Sequence, residues 1–103
     1  MEIETWYMRQ EKRHKLQLFY EILIAIEGYM SNNDVTAAKP THIQHTSRLS
    51  YDKMMNHFNE LEKKGMIIYR RSNTDVLISI TNKGKQFIKQ YNELMILIES
   101  AGL

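Results

Sequence analysis

Apolar residues recur at two different periods along this chain, and the places where the period changes mark out its elements. Leu16, Phe19, Leu23, Ile26 and Met30 follow at spacings of 3, 4, 3 and 4, the stripe of an amphipathic helix. Leu18, Ile22 and Ala25 widen that stripe, which predicts a well-buried helix. Gly28 and the run "SNND" at 31–34 predict its end. A short second helix fits "THIQHTSR", residues 41–48, with Pro40 at or just before its first turn, where the missing N–H costs nothing. A tight connection, "RLS" at 48–50, leads at once into a third helix that Ser50 is placed to cap. Met54, Phe58 and Leu61 form its inward stripe, Tyr51 and Met55 flank it, and Gly65 ends it.

The period then drops to 2. "MIIYRR" (66–71) and "DVLISI" (75–80) predict two strands of a hairpin around "SNT", with Val76, Ile78 and Ile80 on one buried face. Thr81 caps a final helix, and Gly84 lets its first turn pass close to neighbouring backbone. Along that helix Phe87, Tyr91, Leu94, Ile98 and Ala101 are spaced 4, 3, 4, 3, with Ile88 and Met95 as a second seam. The expected class is mainly α with a small β-hairpin, an α+β chain ordered helix, helix, helix, hairpin, helix. No internal repeat or low-complexity linker marks a second domain.

Composition narrows the function classes. The 103 residues suit one core, and 43% hydrophobic with 25% charged residues is ordinary for a soluble domain. There is no Cys, which excludes disulfides, thiolate metal sites and cysteine nucleophiles. The longest apolar run, "ILIAI" at 22–26, is too short to span a bilayer, and "MEIETWYMRQ" lacks the apolar block of a signal peptide. A cytoplasmic, nucleoid-associated location with no membrane partner is the expectation. The net charge of +2 conceals a contrast: residues 36–92 carry ten Lys/Arg against four acids, while 1–35 and 93–103 each come to −2. Positive charge gathered in the middle of the chain suits a surface that meets a polyanion.

"THIQHTSRLSYDKMMNHFNELEKKGMIIY" followed by "ITNKGKQFI" resembles the small archaeal winged-helix DNA-binding proteins. The resemblance rests on Thr41 and Ile43, on Leu49 to Tyr51 opening the recognition helix, on Leu61 with Gly65 to Ile67 leading into the wing, and on Ile80 to Gly84 opening the last helix. It covers about residues 16–91; Met66 stands where Leu is usual, and the second helix is more polar than the pattern. It implies a winged helix-turn-helix domain over 16–84, a C-terminal helix over 82–103 that pairs two subunits, and an N-terminal basic and aromatic extension, 1–15, to which nothing transfers.

On such a scaffold the recognition helix lies in the major groove while its inward stripe packs on the domain. About 100° per residue places Asp52, Asn56 and Lys63 opposite Met54, Phe58 and Leu61, with Lys53 and His57 on one flank. Asn56 is the candidate base reader, because an amide pairs bidentately with adenine. Arg48 and Lys53 suit phosphates or guanine edges, and Ser50 and Tyr51 suit phosphate contact at the helix N-terminus. Arg70 and Arg71 stand at the mouth of the wing and Asn73 at its tip, in reach of adjacent backbone or minor groove. The competing view is that paired arginines only blunt an edge strand. Lys83 and Lys85 are lesser phosphate candidates.

Phe87, Tyr91, Leu94, Met95 and Ile98 are the expected dimerisation residues, because the late ones lie beyond the reach of a single small domain and would stand bare. Trp6, Tyr7 and Met8 either cover that seam or pack on the first helix. No enzyme is expected and no cofactor. His42 and His45 sit three apart without an evident third ligand, and no phosphate loop, nucleophile elbow or apolar carboxylate pair occurs. The function expected is double-stranded DNA binding by a homodimeric transcriptional regulator. The alternatives are an architectural protein without sequence preference and a winged helix used for protein contact.

Overall fold

The computed structural model describes residues 14–71 and 74–102. The extension before residue 14 and the tip residues Ser72 and Asn73 lie outside the described residues. Helix α1 spans Lys15–Asn32, α2 Pro40–Ser47 and α3 Tyr51–Lys63. Strands β1 (Ile67–Arg71) and β2 (Val76–Ile80) follow, then α4 (Asn82–Ser100).

The α1 stripe buries Phe19, Ile22, Leu23 and Ile26 against Ile43 of α2, Met54, Phe58 and Leu61 of α3, and Ile67, Ile78 and Ile80 of the hairpin. Full burial of each such side chain is worth about 1.5–3 kcal/mol, so the common core is what holds three short helices and ten strand residues in one arrangement. Of the two expected stop signals, Gly28 does not end α1, which runs on to Asn32 and ends inside the "SNND" run. Tyr29 and Met30 pack against the core and carry the helix through the glycine. It stops where the Asn33 N–H bonds the Ser31 and Tyr29 carbonyls and Asp34 turns left-handed, at φ 52°.

The later boundaries fall where the cap chemistry put them. Pro40 opens α2, and the Ser50 hydroxyl accepts the Lys53 N–H at 3.3 Å to start α3. Gly65, at φ 78°, leaves α3 in the left-handed region. Thr81 joins three elements: its hydroxyl accepts the Gly84 N–H (3.1 Å), donates to the Gly65 carbonyl (2.7 Å), and its N–H donates to the Met66 carbonyl (3.0 Å). The first turn of α4 is thereby drawn onto the exit of α3.

The strands pair antiparallel with Ile67 opposite Ile80 and Arg71 opposite Val76. A third stretch joins them unannounced by any apolar run. Ala38 and Ile78 exchange both backbone hydrogen bonds at 2.8 Å, and the Ser79 hydroxyl donates to the Thr36 carbonyl at 2.7 Å. The segment before α2 thus closes the free edge of β2.

Candidate nucleic-acid interface

The outer side of α3 is open. Asp52, Asn56, Asn59 and Lys63, at spacings 4, 3 and 4, are all exposed, as are Tyr51 and Lys53. Asn59 completes this stripe and was missed in the sequence, although the same helical wheel contains it. Arg48 is exposed immediately before the helix, at the left-handed C-cap of α2 with φ 60°. Few side chains accept that backbone without cost, so the tight turn fixes where Arg48 starts relative to α3. Arg48, Ser50, Tyr51, Lys53 and Asn56 accordingly gather around the N-terminal half of α3.

His57 is set apart from them. Its ring meets Phe19 of α1 edge-on, with centroids 5.9 Å apart at 81°, and its Nδ1 lies 3.9 Å from Glu60 Oε1. Glu60 also takes a 3.0 Å hydrogen bond from Lys15, which, ahead of the nearby cations, holds its carboxyl below the ordinary range. His57 therefore belongs to the seam between α1 and α3.

The hairpin folds back along α3. Met66 donates its N–H to the Leu61 carbonyl at 2.9 Å, and three residues on the Tyr69 hydroxyl donates to Met55 Sδ at 3.6 Å. Later residues of β1 thus approach earlier residues of α3, and the hairpin mouth turns toward the N-terminal end of that helix. Alternation separates the two arginines. Ile67, Tyr69 and Arg71 share the face toward α3, where Ile67 is buried and the Arg71 guanidinium lies 5.3 Å from the centre of the Tyr69 ring. Arg70 shares the opposite face with the exposed Ile68. Burial is the chief reason the Tyr69 phenol is pushed above its ordinary value. Lys39, ahead of α2, reaches Asp75 at 3.6 Å and ties the second side of the mouth. Lys83 lies instead beside Gly65, at the far end of α3.

Other sequence candidates separate. His42 stacks on Tyr29 (4.2 Å, 20°) while His45 is exposed, and among the described residues no group of three or more His, Asp or Glu is placed to hold a metal ion. No described helix is long and apolar enough to cross a membrane. On α4, Tyr91 stacks on Tyr20 of α1 at 4.3 Å and Phe87 lies 6.0 Å from Tyr91, so both serve the domain's own packing. Beyond them Leu94 is 50% exposed and Met95 41%, Ile98 is half-buried, and Ile96 and Leu97 are more exposed still at 61% and 65%.

Residues 12–99 match the family described as winged helix-turn-helix. The chain belongs to that family. Among solved structures, Sso10a-2, a DNA-binding protein from Sulfolobus solfataricus, superposes with a TM-score of 0.71 at 19% identity, covering 86% of this chain and 85% of its own. The transcriptional regulator BldR from the same organism gives 0.65 at 21% identity, covering 98% and 72%. MepR, a transcription regulator of a multidrug efflux pump in Staphylococcus aureus, gives 0.66 at 16%, covering 97% and 76%. At these identities the likeness is one of fold. Comparison with curated protein sequences finds no match.

Proposed function

We propose that this winged helix binds double-stranded DNA as a transcriptional regulator, with α3 in the major groove and the wing on adjacent backbone or minor groove. The observation that carries this reading is the contact that sets the hairpin beside α3, the Tyr69 hydroxyl on Met55, with exposed cations on both elements. The open face of α3 and the mouth of the hairpin meet through the Tyr69–Met55 contact, and Arg48, Lys53 and Arg71 border them. Asn56 and Asn59 supply amides on the groove-facing stripe, suited to adenine. Ser50, Tyr51 and the cations hold phosphates. The DNA-binding or regulatory roles of Sso10a-2, BldR and MepR agree with the reading.

The chain acts as a homodimer paired through the end of α4. Leu94, Met95, Ile96 and Leu97 are large apolar side chains left exposed around the last turns of α4, with Ile98 half-buried beside them. A second copy is the natural cover for the seam of Leu94, Met95 and Ile98. Two-fold pairing presents two recognition helices to one duplex. An architectural role without sequence preference is the second reading, favoured by a contact surface with only two amides among its cations. Selection from random-sequence DNA separates the two: an enriched motif supports the regulator. DNA binding itself is tested by the salt dependence of affinity for a duplex. Released counterions require a steep linear fall of log K with log salt concentration; a flat response contradicts the proposal.

A further inference from the structure

The wing's two sides are anchored differently. β2 is held by Ala38, and Asp75 just ahead of it by Lys39. β1, which carries both arginines, reaches α3 through Tyr69, whose ring lies 6.5 Å from that of Phe58 and whose hydroxyl meets Met55. The guanidinium of Arg71 lies over that clamped ring, 5.3 Å from its centre. A free arginine loses much rotamer freedom when it settles on a phosphate, whereas one already held by an aromatic face loses less. Arg70, on the other face, has no such support from Tyr69.

We propose that Tyr69 is a positioning residue for DNA binding: it holds Arg71 at a fixed offset from α3, so that wing and recognition helix engage one duplex in a set register. This rests on the DNA-binding reading, which the parent protein tests separately. Tyr69 does not itself touch DNA; it acts through Arg71. The two neighbouring arginines then differ in kind, Arg71 making an oriented contact and Arg70 a diffuse electrostatic one.

Binding of a fluorescent duplex is measured by anisotropy over a range of NaCl concentrations for parent and variants, with each variant's fold checked by its thermal melt. Arg71→Ala is expected to lower the slope of log K against log salt by about one. Tyr69→Leu removes no charge yet is expected to lower the slope by the same amount, which a role in folding alone would not do. Tyr69→Phe keeps the ring beneath the guanidinium but gives up the hydroxyl's contact with Met55, and should lower the slope by less than Tyr69→Leu does. The double variant Tyr69→Leu/Arg71→Ala should bind no worse than either single one. Arg71→Lys, at an exposed position that does not threaten the fold, keeps the charge but loses the guanidinium held over the ring and should bind about three-fold more weakly. A steep slope in the parent with unchanged slope in Tyr69→Leu, multiplied losses in the double variant, or parental affinity in Arg71→Lys each overturns the positioning role. A flat slope in the parent removes the DNA-binding reading and this inference with it.

Discussion

Gly84 and Gly28 show how the same residue type serves different ends. A Cβ at Gly84 would strike the Met66 carbonyl oxygen and come within 2.8 Å of Ile80 Cγ1, whereas one at Gly28 meets nothing within 4 Å. Gly84→Ala should therefore destabilise the fold by about 1–3 kcal/mol, the usual cost of overpacking. Gly28→Ala should stabilise it by about 0.5–1 kcal/mol through helix propensity. Urea unfolding of the two variants checks both signs, and a matching sign would contradict the geometry. The sequence announced Gly84, because Thr81 three residues earlier marks a cap. It misplaced Gly28, because a glycine's local signal is the same whether a helix stops or is held through it by Tyr29 and Met30 packing on the core. At the interface, Asn56→Ala should blur sequence preference more than it weakens binding, measured by comparing affinities for a selected and a scrambled duplex.

Among the elements, α3 was the most legible, since its cap, inward stripe and terminal glycine all agree on one helix. Its neighbours across the domain were less so. The turn of Ala38 onto Ile78 involves one small residue with no periodic signal. The inward set of His57 depends on where α1 crosses α3. That crossing carries the exposed Lys15–Glu60 pair, which contributes above the ordinary carboxylate value of 4.5 and is lost as pH falls through the lowered value in the folded state. The difference in melting temperature between the parent and Glu60→Gln should consequently shrink between neutral pH and strongly acidic solution. Helix α4 does two jobs in sequence. Its first half belongs to the domain through Gly84, Ile88 and Tyr91, and its last turns leave Leu94 to Leu97 bare. Leu94→Asp combined with Leu97→Asp should leave the fold intact and shift the mass seen by sedimentation from dimer to monomer. A monomeric parent would contradict the pairing.

For the whole molecule, a net charge of +2 says little, and its placement says more. Near the far end of α3 Glu60 and Glu62 balance Lys63 and Lys64, while around its start and the hairpin mouth Asp52 and Asp75 stand against Arg48, Lys53, Arg70, Arg71 and Lys39, the last paired with Asp75. The helix-turn-helix and wing are also linked on two sides, through Tyr69 to Met55 and through Ala38 to Ile78, so they meet a ligand as one body. The spacing of motifs sufficed to identify the fold, because caps and stripes are local. Strand alternation alone separates Arg70 from Arg71, but which of them faces α3 over Tyr69 follows only from how the hairpin packs on that helix. The most direct measurement is amide chemical-shift mapping of the labelled protein titrated with duplex DNA. The account predicts that the largest changes fall on residues 48–59 and 69–75, with 94–98 unmoved. Changes confined to α4, or centred on Lys83 and Lys85 with the start of α3 silent, would contradict it.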